Sequence, residues 1–167
     1  KLDFLIQSLV KLSRMESGII AVHSEDTTIK QMLESIQQQF NVKVREKNIT
    51  LSLCDTDLHI RCDSKWTVEA LGNIVDNAIK YTACGGNVQI KVEQYSFFVK
   101  IDIIDDGIGI EKEEIPKIFG RFYRSLSVAD QPGVGIGLFL AREIIQAQKG
   151  YIKVTSKRGK GSTFSVF

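Results

Sequence analysis

A chain of 167 residues is long enough to bury one core and short for two. Hydrophobic residues at 43% and charged residues at 25% exclude a disordered segment, which lacks the apolar surface to offset the entropy of ordering. The 22 basic and 20 acidic side chains leave a formal charge of +2 spread along the chain, which excludes a broad electrostatic claim on nucleic acid and leaves room for a local cationic pocket.

Apolar side chains recur at Leu2, Leu5, Ile6, Leu9, Leu12 and Met15, a spacing that predicts a helix over residues 1–17 stopped at Gly18. The stripe of Leu2, Leu5, Leu9 and Leu12 suits a helix packed on its own domain, and equally one half of an intersubunit bundle. Ile19–Val22 reads as a short strand, and Thr27 and Thr28 offer a hydroxyl cap to an amphipathic helix carrying Ile29, Met32, Leu33, Ile36 and Phe40. Ile49–Leu53 and Leu58–Cys62 alternate like two strands joined by a polar Asp-Thr-Asp turn. A third helix is expected from Ser64 to about Tyr81, capped by Asp63 or Ser64, with Gly85-Gly86 closing that region. Val88–Glu93 and Phe97–Ile104 are the next strands; Gly133–Gly137 opens a last helix to about Gln148; Tyr151–Thr155 and Thr163–Val166 close the chain as strands. Strands mixed with three longer helices predict an α/β layered domain, an α+β two-layer sandwich with the helices on one face of the sheet.

No apolar run approaches the ~20 residues needed to cross a bilayer, and no signal-peptide pattern opens the chain. Cys54, Cys62 and Cys84 form no CxxC pair, which favours a reduced cytosolic interior over a disulfide framework or a zinc site. A chain opening on Lys1 and ending at Phe167 within an apolar alternation is expected to be a piece of a longer protein.

Chemistry is written in short segments. Asn73 and Asn77 are four residues apart on the third helix, with Lys80 a turn further along the same face. They are either solvent-facing polar residues or amides lining a magnesium-phosphate site, since Mg²⁺ takes oxygen ligands and keeps several waters. Asp105-Asp106-Gly107-Ile108-Gly109-Ile110 ends an apolar strand. It is either a strand-ending turn or a carboxylate set to accept from an exocyclic amine such as that of adenine, with glycines that let the backbone approach a flat ring. Gly133-Val134-Gly135-Ile136-Gly137-Leu138 leads into a helix and serves either as a flexible hinge or as an amide cradle for phosphate. It lacks the lysine and hydroxyl of a P-loop and the spacing of a Rossmann fingerprint. Phe119-Gly120-Arg121-Phe122-Tyr123-Arg124 precedes a polar loop that its phenylalanines would anchor, and Gly159-Lys160-Gly161-Ser162-Thr163-Phe164 turns into the final strand.

The succession NxxxN, DxGxG, FxRFYR, GxGxG and GxGSTF resembles the ATP-binding catalytic domain of sensor histidine kinases, in the superfamily shared with gyrase B, MutL and Hsp90. The resemblance runs from about Ile19 to Phe167, and residues 1–17 look like the end of the second helix of that family's dimerisation and histidine-phosphotransfer domain. It divides the chain into that helix (1–17) and the catalytic domain (18–167), with a mixed sheet of about five main strands, a mobile ATP lid and an appended N-terminal helix. It implies ATP and Mg²⁺ as ligands. Asp105 would accept from the adenine amine, with Gly107, Gly109 and Ile110 shaping the base pocket and Thr163 closing it. Asn77 would coordinate Mg²⁺, Asn73 would lie beside the phosphates, Lys80 would meet phosphate charge and Tyr81 would pack near adenine or ribose. Phe119 to Gly137 would form the lid, in which Phe122 and Arg124 face the nucleotide and Arg124 touches phosphate. Gly133, Gly135, Ile136, Gly137 and Leu138 would form the cradle. Asn73, Lys80 and Arg124 are the residues expected to act in catalysis. Gly120 departs from the acidic residue often found at that point.

Gyrase, MutL and anti-sigma serine kinase relatives typically carry glutamate where this chain has Asn73, a general base for water or serine. A positioned base is worth ~10²–10⁴-fold to an oxygen nucleophile, whereas neutral imidazole already offers a lone pair at pH 7. Asparagine therefore favours transfer to histidine, a reaction made of positioning and electrostatics. The family's phosphoacceptor histidine would lie upstream of residue 1; His23 and His59 do not match its motif and read as structural. The implied partners are the protein's own dimerisation and phosphotransfer domain, a response-regulator receiver domain and a second copy in the full-length protein, with no nucleic acid and no membrane contact from this piece. The expected location is cytoplasmic, behind a membrane-anchored sensor. The alternatives are a non-catalytic, nucleotide-responsive interaction module and a MutL- or gyrase-type ATPase.

Overall fold

Thr28 adopts an extended backbone and its hydroxyl accepts from Gln31 N at 3.4 Å, which starts helix α1 (Ile29–Glu46). The computed structural model describes residues 22–128, 131 and 133–167, together with Val10 and Ser13. The expected helix over 1–17 and the strand at Ile19–Val22 lie outside the described residues but for Val10 and Ser13, which are helical, and Val22, which is not in a strand. Helix α1 buries Ile29, Met32, Leu33, Ile36 and Phe40 along one stripe. It ends at Lys47, after which Asn48 takes a left-handed φ of 52°.

Helix α2 (Ser64–Tyr81) is capped by Asp63, whose carboxylate accepts from Trp66 N at 3.1 Å. Its buried face, with Ala70, Leu71, Ile74, Val75, Ala78 and Ile79, packs between α1 and the sheet. Helix α3 (Gly137–Ala147) buries Leu140, Ala141, Ile144 and Ile145 beside it.

Five strands form the main sheet: β2 (Thr50–Leu53), β4 (Asn87–Gln94), β5 (Val99–Asp105), β6 (Ile152–Ser156) and β7 (Ser162–Val166), in the order β2-β4-β5-β7-β6. Only the β2–β4 pair is parallel. A two-stranded ribbon of β1 (Glu25–Thr28) and β3 (His59–Cys62) stands apart. The two alternating runs at 49–53 and 58–62 are therefore not a hairpin: β2 pairs with β4 and β3 with β1. The second hairpin strand starts at Val99, because Tyr95 N bonds Phe98 O at 2.8 Å and keeps Phe97 and Phe98 in the turn.

The register lines up ranks of side chains across the helix-facing side of the sheet. One rank holds Ile101, Val166 and Ile152; the next holds Ile90, Ile103, Phe164 and Val154. In the third, Val88 is followed by Asp105, Ser162 and Ser156. The apolar face turns polar at one end, and the site lies there.

Candidate functional site

Asp105 is 7% exposed, at the end of β5, and its Oδ1 accepts from Gly107 N at 2.9 Å. Burial pushes its carboxyl above the ordinary carboxylate range, against the opposing pull of the Gly107 and Ser162 amides. Ser156 Oγ donates to Gly161 O at 2.9 Å, accepts from Ile110 N at 2.8 Å and lies 3.0 Å from Ser162 Oγ. A hydroxyl has one hydrogen, so the serine–serine bond takes its proton from Ser162. Neighbouring Asp106 does different work: exposed, it accepts from Asn87 N and Nδ2 at 2.9 and 2.8 Å, which hold its pKa down and tie the start of β4 to the end of β5.

The loop after Asp105 is wedged between two backbones. A Cβ at Gly107 would stand 2.6 Å from Tyr81 O, and one at Gly109, whose φ is 66°, would stand 2.1 Å from Lys157 O. Ile108 N bonds Tyr81 O at 3.3 Å and Gly159 N bonds Ile108 O at 2.7 Å. The end of α2, the DxGxG loop and the β6–β7 turn are thus fastened together.

Asn73, Asp76, Asn77 and Lys80 share one face of α2 and line a cavity of about 190 Å³ with Asp105 on its wall. Asn73 Nδ2 donates to Glu69 O at 2.9 Å, leaving Oδ1 turned toward Gly137, where an added Cβ would meet it at 3.1 Å. Lys80 Nζ lies 3.0 Å from Tyr81 Oη and 4.7 Å from that ring's centroid. Asp76 is paired with Lys43.

Across the cavity stands the first turn of α3. Thr28 and Asp63 cap α1 and α2, but Ile136 gives α3 no side-chain cap. Its leading amides open on the cavity, an arrangement suited to an anion. The stretch from Phe119 to this turn forms the remaining wall. Its base is held by cation–π contacts: Arg142 over Phe119 at 5.7 Å, and Arg142 and Arg121 over Phe139 at 5.6 and 4.7 Å. Arg124 lines the cavity while its Nη2 donates to Val128 O at 2.9 Å and to Gln131 O. Arg158 Nη1 reaches Ser127 Oγ at 3.4 Å from the β6–β7 turn. Residues 129, 130 and 132 lie outside the described part.

Of the residues expected from sequence, Asn73, Asn77, Lys80 and Tyr81 reach the cavity from α2, and Asp105, Gly109 and Ile110 from β5 and its loop. Arg124, Gly133, Gly135, Ile136, Gly137 and Leu138 reach it from the opposite wall. Three do not line it. Gly107 is buried behind Asp105 against Tyr81 O and shapes the loop from outside the cavity. Phe122 is 53% exposed with φ at 60°, turned away while Tyr123 faces in. Thr163 pairs with Ile104 on the other face of the sheet, and the residue beside Asp105 is Ser162. Period-two counting back from core residue Phe164 reaches Ser162, a signal the motif order obscured. Lining residues Tyr123 and Asp76 carried no such signal.

The chain matches the family of histidine kinase-, DNA gyrase B- and HSP90-like ATPases over residues 62–167. It is 33% identical over 166 residues to sensor histidine kinase WalK of Bacillus subtilis, covering 96% of this chain and 27% of WalK. Sensor protein kinase PmrB of Pseudomonas aeruginosa is 28% identical over 168 residues, covering 100% of this chain and 35% of PmrB. The structure of histidine kinase AdeS of Acinetobacter baumannii superposes with a TM-score of 0.80 at 25% identity, covering 99% of this chain and 76% of that one. The chain spans well under half the length of these two curated relatives.

Proposed function

Because the chain belongs to the family of histidine kinase-, DNA gyrase B- and HSP90-like ATPases, we propose that it is the ATP-binding catalytic part of a two-component sensor histidine kinase. It transfers the γ-phosphate of ATP to a histidine on a dimerisation domain, for relay to an aspartate of a response regulator. The observation that carries this reading is one cavity with a buried carboxylate at one end and an uncapped helix N-terminus at the other. The first suits a base amine and the second a phosphate tail.

Asp105 accepts from the exocyclic amine of adenine while Ser162 and the Gly107–Ile110 loop border the ring. Tyr81 packs beside base or ribose, and Lys80 and the amides of Gly137 and Leu138 meet the phosphates. Among the described residues no group of three His, Cys, Asp or Glu side chains could hold a metal. The donor set fits a magnesium ion that arrives on the nucleotide, with the Asn77 amide as its one protein ligand. Bound there, the ion would neutralise phosphate charge as it develops. Asn77→Ala is expected to weaken magnesium–ATP more than metal-free ATP in calorimetry; equal losses would move the metal elsewhere.

Among the described residues, the cavity's carboxylates leave no general base at the phosphate end. Asp76 is paired with Lys43, Glu114 accepts from Tyr123 Oη at 3.2 Å, Asp105 lies by the base loop, and Asn73 is neutral. That favours transfer to imidazole over hydrolysis. Among the described residues no helix is long and apolar enough to cross a membrane; we place the domain on the cytoplasmic side of an anchored, dimeric sensor. The test supplies the chain with γ-labelled ATP, magnesium and a separate dimerisation and phosphotransfer domain. Label on that domain's histidine is expected, and none on His23 or His59. Steady phosphate release without transfer would overturn the assignment in favour of an ATPase.

A further inference from the structure

Lys47 lies outside the cavity, in the turn that ends α1, yet its ammonium is committed to the far end of α2. Nζ donates to Ile79 O at 2.8 Å, Lys80 O at 2.9 Å and Thr82 O at 2.7 Å. An ammonium carries three hydrogens, and these three carbonyls take all of them. The acceptors are at or just past the helix end, where carbonyls have no partner within the helix and the dipole favours a cation. The main chain of the same residue adds a further tie, since Lys47 O accepts from Gly85 N at 3.0 Å. Both ends of Lys47 therefore grip the segment from Ile79 to Gly85.

That segment carries one of the cavity's cations, Lys80. Lys80 lines the cavity beside Tyr81, and its Nζ would stand 2.8 Å from a Cβ at Gly133, so it sits directly beneath the glycine-rich wall. Tyr81 O in turn receives Ile108 N and abuts Gly107. A backbone shift of a few tenths of an ångström at Lys80 would displace its ammonium, while Ile108 N holds Tyr81 O from the opposite side.

We infer that Lys47 is a positioning residue of the nucleotide site, which touches no ligand and acts by holding the Lys80 main chain so that the Lys80 ammonium meets the phosphates. The inference rests on the reading of this cavity as an ATP site. It has a signature that loss of general stability lacks, because its effect must pass through Lys80.

The test is a double-mutant cycle on magnesium–ATP affinity, read by calorimetry well below the melting temperature of every variant. Lys47→Met is expected to bind about tenfold more weakly than the parent, the scale of one weakened charge-assisted contact. In a Lys80→Ala background the same substitution is expected to change affinity little. Should Lys47→Met not fold, Lys47→Arg replaces it in the same cycle: its planar fork retains the charge and cannot direct three hydrogens at converging carbonyls. Unchanged affinity of the single variant, or an equal loss in both backgrounds, overturns the inference. A parent chain that binds no ATP overturns the functional reading instead.

Discussion

Burial raises the pKa of Asp105 because the ionised carboxylate gives up water, and the two amides that face it only partly compensate. Under the proposed assignment an adenine amine donates to the ionised form, so ATP affinity is expected to fall on acidification earlier than an ordinary carboxylate at ~3.9 would dictate. Asp105→Asn removes a charge-assisted hydrogen bond worth ~1.5–3 kcal/mol, and calorimetry should find ATP bound roughly 10–100-fold more weakly, with this acid limb gone. Unaltered affinity would refute the base-pocket assignment. Ser162 and Thr163 offer a sharper contrast, one residue apart on opposite faces of β7. Ser162→Ala should cost about 1 kcal/mol of binding and Thr163→Ala nothing measurable. The sequence motif led to Thr163 because a run of residue types does not say which of two neighbours the pleat turns toward the cavity.

Caps set the limits of the two long helices. Asp63 holds both Trp66 N and, at 2.9 Å, His23 N, so it joins the start of α2 to the segment entering the domain. Asp63→Ala is expected to lower stability by ~1–2 kcal/mol in denaturant unfolding while leaving ATP affinity unchanged at low temperature. A matching loss of affinity would mean that the cap also shapes the site. Helix α2 was legible nearly to its ends, with the cap left between Asp63 and Ser64, because a cap residue, an apolar stripe and a glycine pair agree on its extent. The strands were legible as strands but not as neighbours: alternation in Thr50–Leu53 and His59–Cys62 specifies a half-buried face and says nothing of which edge each joins. Glu25–Thr28 was missed because its residues show no apolar alternation; its pairing with β3 alone makes it a strand.

At the scale of the molecule, the cavity is closed by parts of the chain that meet only in the finished fold: α2, the end of β5, the first turn of α3 and β7. A ligand bridging them stabilises the folded state alone. Magnesium–ATP at a hundred times its Kd should add about 2.7 kcal/mol, read as a raised Tm, and an unmoved Tm would mean no site has formed. The order of motifs made this convergence legible in advance; the polar end of an otherwise apolar sheet face, which positions it, was not, because it emerges only from the register of β5, β6 and β7.

The raised pKa of Asp105 has a sign for folding as well. A group of this kind favours the folded state fully below the ordinary carboxylate pKa, and that contribution disappears as pH climbs through the elevated one. Above that elevated pKa the ligand-free domain holds a buried anion that its amides only partly compensate, and Asp105→Asn should melt higher than the parent there, the gap narrowing in acid. With adenine nucleotide bound as proposed, the folded domain is expected to outlast its ligand-free form. Limited proteolysis should digest the parent faster without nucleotide than with it, and the asparagine variant should need roughly 10–100-fold more nucleotide for the same protection.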